Sequence, residues 1–213
     1  MSVRSKSRIL LCLMAVITSA TGYAGSLDVT YIGSAGYMLE SNSKKVLIDA
    51  LFSDFVQKFE VPVATQATLQ QIASGEAPFS GIDLVLVTHS HPGHFEPGIL
   101  AGCLRNNPDA ELVSTPVVYE ILEKETADFD SFKDRIIVPD LASDYSVTEL
   151  NVDGQLIRVS RAPHWVRPDT LDEGYIYNYA LNLDNVEVAY VLAQDDYEKI
   201  SDIDILFGSV IES

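Results

Sequence analysis

The stretch Thr88-His89-Ser90-His91-Pro92-Gly93-His94 places three imidazoles within six positions, and the chain's fourth and last histidine is His164. Imidazole nitrogens bind Zn²⁺ at about 2.0–2.1 Å, and a catalytic zinc keeps one position open beside three protein ligands. In a loop leaving a strand, His89 and His91 point the same way, and a turn at Pro92-Gly93 lets His94 fold back toward them. The pattern predicts a metal site; the competing account is a surface loop that is merely rich in histidine. Cys103 is the other reactive candidate. Leu100-Ala101-Gly102-Cys103-Leu104 reads as one buried helix face, however, which makes an inert thiol the expectation.

These residues need elements to hold them. Residues 82–88 form a nearly continuous apolar run, as expected of a strand buried on both faces in a layered α/β protein, and the run leads straight into His89. Upstream, 27–32, 37–40 and 46–49 alternate around the turns Gly33-Ser34-Ala35-Gly36 and Asn42-Ser43-Lys44-Lys45, which predicts a meander of short strands. Helices are expected over 63–75, ending near Gly75, over the segment opened by Pro97, and from Pro116 to about Lys124. Short strands are expected at 111–114 and 136–138. Asp153-Gly154 predicts a hairpin joining 145–152 to 156–160, and the second strand ends in Arg161-Ala162-Pro163-His164-Trp165. Asp184-Asn185 predicts another hairpin, between 175–183 and 186–192. The whole reads as one α/β (α+β layered) domain with β-rich halves and helices outside.

Composition narrows the function. The 213 residues carry 31 acids against 14 bases, a formal net charge of −17, with 47% apolar and 21% charged residues. That is an ordinary globular composition, long enough for a sizeable core and for one domain. The acidity argues against a nucleic-acid binder, which needs clustered Lys and Arg to neutralise phosphates. A small-molecule substrate is the expected partner.

At the N terminus, Arg4, Lys6 and Arg8 precede an apolar run over 9–17 and small residues ending at Gly22-Tyr23-Ala24. This is the plan of a secretory signal peptide over 1–24, cleaved after Ala24 or after Ala20. The run is shorter than the ~20 residues a spanning helix needs; an anchor or a buried first helix is the alternative. Residues 25–213 are then the functional domain, expected to be secreted or periplasmic and without stable membrane insertion. Only Cys103 remains in it, so no internal disulfide is expected.

The histidine stretch resembles the T-H-x-H-x-D-H signature of the metallo-β-lactamase superfamily. Tyr31-Ile32-Gly33-Ser34-Ala35-Gly36 and Val46-Leu47-Ile48-Asp49 are similar to that family's opening hairpins. Ala162-Pro163-His164-Trp165 resembles its P-x-H-W variant, as in lactonases of the ascorbate-lactone type and certain phospholipid phosphodiesterases. Ala193-Gln194-Asp195-Asp196 resembles its G-D-T segment.

The resemblance implies an αββα sandwich with the site at one edge of the sheets. It assigns His89, His91 and His164 to a first metal site, His94 to a second, and Asp195 to a bridge between them. Two departures stand out. Gly93 occupies the position of an Asp ligand, and the sequence stops at Ser213, shortly after residues that resemble the strand before the family's last His. The fold therefore looks shortened at its C terminus, and one Zn²⁺ per chain is expected. The implied function is an exported hydrolase in which zinc-activated water attacks an ester, lactone, amide or phosphodiester, with Asp195 as water-orienting group or general base. A degenerate member that binds metal or a partner without turnover is the alternative. Trp165 is read as a pocket wall or a core residue, and Asp49 as a brace for the backbone rather than a ligand.

Overall fold

The structure is a computed structural model in which residues 26–51, 63–164, 174–192 and 203–207 are described. The segment 1–24 expected to be a leader, Trp165 and Asp195 lie outside those residues.

β1 (Asp28–Gly33), β2 (Gly36–Glu40) and β3 (Lys45–Ile48) form the expected antiparallel meander. Its first turn is pressed against the chain beyond β3: a Cβ on Gly36 would lie 2.8 Å from Ala50 Cα and 3.0 Å from Asp49 O. The chain then crosses through α1 (Gln66–Ser74), α2 (Pro97–Asn106) and α3 (Pro116–Glu125) to add β4 (Leu84–Leu86), β5 (Glu111–Val113) and β6 (Ile136–Ile137) in parallel. Parallel neighbours need such crossovers. The helix ends follow local chemistry. Thr65 and Thr115 accept hydrogen bonds from Thr68 N and Val118 N, Pro97 and Pro116 open their helices, and Gly75 closes α1 at φ 64°. The sheet order is β1-β2-β3-β4-β5-β6.

The second sheet, in order β11-β10-β9-β8-β7, contains β7 (Val147–Val152), β8 (Gln155–Pro163), β9 (Tyr175–Leu183), β10 (Val186–Tyr190) and β11 (Ile205–Phe207). Both predicted hairpins are present. Asp153 and Gly154 sit at φ 45° and 79°, Asp184 and Asn185 at 51° and 72°. Two positive φ values at the turn centre match the twist of the flanking strands.

Alternation along the first sheet divides the core in two. Leu47, Val85, Val87 and Leu112 face the helices, packing with Leu69, Ile72, Leu100, Leu104, Val118 and Leu122. Val46, Ile48, Leu84, Leu86 and Val113 face the second sheet and meet Ile157, Val159, Tyr177, Tyr179, Leu181 and Val188. The layers are helix, sheet and sheet; among the described residues, all three helices lie on the first sheet. None of them is long and apolar enough to cross a membrane.

Several strands differ by a residue or two from the expected ranges, and the two largest differences, in β4 and β8, bear on the site. β4 is shorter than 82–88 because side chains capture its flanks: Ile82 N–H donates to Asn107 Oδ1 (3.0 Å) and Thr88 N–H to Asp49 Oδ1 (2.9 Å). β8 outruns 156–160 because it pairs with β9 as far as Pro163↔Tyr175, which delivers His164 to the sandwich edge.

Candidate metal centre

His89 follows the buried end of β4, and the loop to His94 closes with His94 N–H donating to His91 O (3.2 Å). Gly93 occupies φ 108°, backbone that side chains rarely adopt, so glycine suits this turn for a steric reason as well. His164 comes from the other sheet, immediately after β8, with its N–H on Gly174 O at 3.0 Å. Beside them the two sheets are stitched together by Tyr177 N–H of β9 donating to Thr88 O at 2.9 Å.

One nitrogen from each of His89, His91 and His164 lies within 4.8 Å of the others. His89 is buried, and the other two are half-buried at the mouth. His94 is outside this group of three. Its ring lies 4.0 Å from that of His89, but its Nδ1 is 2.8 Å from Asp49 Oδ2. Asp195, the remaining predicted site residue, lies outside the described residues.

Asp49 is the hub beneath the imidazoles. Its fully buried carboxylate accepts from Thr88 N–H (2.9 Å) and Thr88 Oγ1–H (2.7 Å), with His94 Nδ1 at 2.8 Å and the Tyr190 hydroxyl at 3.2 Å. Burial, and then the neighbouring Asp49 charge, push the Tyr190 phenol well above its usual range, so it stays protonated and donates to Ala35 O at 2.6 Å. Thr88 Oγ1 also lies 2.9 Å from His89 Nδ1. Burial, followed by the proximity of His94, His91 and His164, holds the His89 imidazole well below its usual pKa, so its neutral form is favoured.

Three observations fit a cation at this place. The His89 Nε2 atom is buried with no hydrogen-bond partner among the described residues, a costly condition that a metal relieves. His91 Nδ1 and His164 Nε2 lie 3.2 Å apart. Two ligand nitrogens of a tetrahedral zinc stand about 3.3 Å apart when each bond is about 2.05 Å. Finally, three imidazoles from two sheets, supported by an outer carboxylate, form a donor set suited to zinc and its neighbours in the first row.

A family model described as a beta-lactamase superfamily domain matches residues 28–213. The chain belongs to the metallo-β-lactamase superfamily. Among solved structures with this fold, a metal-dependent hydrolase from Parabacteroides distasonis is 16% identical, with TM-score 0.54 over 85% of this chain and 69% of that one. A variant of the CmlA β-hydroxylase, the Streptomyces venezuelae enzyme, is 15% identical, with TM-score 0.51 over 84% of this chain and 34% of that one. At these identities the likeness shows the metallo-β-lactamase fold and nothing finer. No curated relative matches the sequence.

Asp49 does brace the backbone as expected, through Thr88 N–H, but its side-chain contacts with the Thr88 hydroxyl and His94 are the feature that residue types alone missed. Its only local signals are an Asp ending one apolar strand and a Thr ending another, immediately before the first histidine. Cys103 behaves as expected: it is buried in α2, and burial pushes its thiol up to about 12.

Proposed function

We propose that this chain is a metal-dependent hydrolase whose cation is held by His89, His91 and His164. The observation that carries the reading is the buried His89 Nε2, without a hydrogen-bond partner among the described residues and set among two other imidazoles within 4.8 Å. A zinc bound there would supply Lewis acidity and a water of pKa near ~7. The chain's own residues supply the rest. Thr88 and Asp49 hold the first imidazole from beneath, β8 aims His164 across from the second sheet, and the half-buried His91 and His164 leave an approach from solvent. We assign Asp195 to orienting the water or accepting its proton, and His94 to the margin of the site, where its Nδ1 is engaged by Asp49. One zinc per chain is the economical count, because Gly93 offers no ligand atom. The substrate is a small molecule with an ester, lactone, amide or phosphodiester bond; the P-x-H-W form of the His164 motif favours a lactone or phosphodiester. Export through a leader over 1–24 completes the proposal, and mass spectrometry of the mature N terminus tests it.

Gly93 also supports a second reading, in which the fold holds a metal without turnover. Metal analysis and a screen of lactone, β-lactam and phosphodiester substrates, each with and without chelator, separate the two. Stoichiometric metal with chelator-sensitive turnover is the expected result. Metal without turnover selects the second reading, and absence of metal overturns both.

A further inference from the structure

We propose that Asp49 fixes the tautomers of two imidazoles at once, that of His94 directly and that of His89 through the Thr88 hydroxyl. The argument is a count of protons. A carboxylate only accepts, so the 2.8 Å contact requires His94 to carry its proton on Nδ1. The Thr88 hydroxyl has one proton, and the shorter contact, 2.7 Å to Asp49 Oδ2, takes it. Its oxygen must then accept from His89 across 2.9 Å, which places the His89 proton on Nδ1 as well. Both rings are left with bare Nε2 lone pairs, the form in which imidazole binds a metal. The carboxylate is itself held by Thr88 N–H on Oδ1, so it cannot turn to offer a different arrangement. The Tyr190 hydroxyl does not compete, because its proton has the nearer acceptor in Ala35 O, 2.6 Å away against 3.2 Å.

Asp49 is thus a positioning residue. Its usefulness rests on the metal-site reading, whereas the tautomers exist in the metal-free chain and are measured there. Asp49→Asn is the informative change because it preserves shape and reverses polarity at one oxygen. The Asn carbonyl keeps the Thr88 N–H bond, and its NH2 then faces Thr88 Oγ1 and His94 Nδ1. Each must become an acceptor: His94 moves its proton to Nε2, while the Thr88 hydroxyl turns to donate to His89 Nδ1, which moves that proton to Nε2 too.

The experiment is long-range ¹H–¹⁵N correlation of the imidazoles in the metal-free, ¹⁵N-labelled chain, with zinc affinity measured separately by chelator competition. The expected spectra show Nδ1–H for His89 and His94 in the parent and Nε2–H for both in Asp49→Asn. Thr88→Val should release His89 into a mixture of tautomers and leave His94 unchanged, and Thr88→Ser should restore the parent pattern. Zinc affinity should fall about 10–100-fold in Asp49→Asn, as when an outer partner of a ligand is lost. Nε2–H for either ring in the parent, or unchanged tautomers in Asp49→Asn, overturns the proposal. If Asp49→Asn fails to fold, the Thr88→Val and Thr88→Ser pair decides the His89 arm, and the parent spectrum decides His94. A parent chain that shows the expected tautomers but binds no zinc sinks the metal reading and leaves this one standing.

Discussion

In the β1–β6 sheet the site residues leave the ends of short, deeply buried strands, whereas in the β7–β11 sheet His164 leaves a nine-residue strand of an antiparallel hairpin. Around His89 the hydrogen bonds run through side chains, from Asp49 to Thr88 to the ring. His164 is held along the backbone as well, its N–H donating to Gly174 O. The first arrangement specifies ring orientation and tautomer; the second specifies where the chain passes. A three-imidazole site built from both therefore combines one fully buried ligand, braced through a side-chain relay, with two half-buried ones.

The largest effect should come from removing the buried, braced ligand. His89→Ala is expected to cost more zinc affinity than the roughly 100-fold lost with an outer partner, and chelator competition measures it. His164→Ala should cost comparable affinity, because either change leaves two imidazoles. Urea unfolding of the metal-free chain separates the two. His89→Ala opens a cavity above Thr88 and should cost about 1–3 kcal/mol, while the half-buried His164 should cost under about 1 kcal/mol. Equal unfolding costs would remove the distinction between the buried, braced ligand and the half-buried one.

A pair of glycines carries the comparison into the scaffold. In α2, a Cβ on Gly102 would lie 2.8 Å from Ala73 O and 3.0 Å from Ala73 Cβ, so Gly102→Ala must push two helices apart. A cost of about 1–3 kcal/mol is expected from such overpacking. Gly154, in the β7–β8 turn, has open space around it and φ 79°, so Gly154→Ala meets only the backbone penalty of about 1–2 kcal/mol. Zinc affinity should fall with neither substitution, since both sites are structural; a loss in Gly102→Ala would mean that α1–α2 packing reaches the histidine loop.

Local signals made most of the scaffold legible. Prolines opened two helices, Gly75 closed one, and Asp153-Gly154 and Asp184-Asn185 marked hairpins, because each acts within a few residues of itself. The run of three histidines was equally visible. Asp49 was different. Its contacts with Thr88 and His94 span 39 and 45 positions, and the Tyr190 contact spans 141, so only the folded sandwich brings them together. The ends of β4 were misread for the same reason: apolar composition announces a buried strand, but distant side chains decide where its ladder stops.

Alkaline pH probes the helix-covered half. The unfolded Cys103 thiol ionises near its ordinary value of 9.0, whereas the native one holds its proton to about 12. Its contribution to stability is complete below about pH 9 and is lost as pH rises toward 12, with a slope approaching ~1.4 kcal/mol per pH unit. Cys103→Ala should flatten the alkaline limb of a stability profile by that amount. A profile of unchanged slope would show that the thiol is less enclosed than its place in α2 implies.

The finest test lies within β8, where two arginines three positions apart face different surroundings. Arg161 donates to Asp144 Oδ1 and Leu141 O, each at 3.0 Å, and lies 3.8 Å from the Tyr175 ring centroid beside the chain that anchors His164. Arg158 points outward to Glu149 across 3.4 Å, with both side chains more than half exposed. Such an exposed pair contributes little, since water screens it and ordering two long side chains costs entropy. Arg161→Ala should therefore cost about 1–2 kcal/mol in urea unfolding, through its lost hydrogen bonds and ring contact. Arg158→Ala should change stability by less than about 0.5 kcal/mol. Equal values would place the ordering of the β8 end in the strand ladder alone, because the ladder is common to both residues and the Arg161 clasp is not.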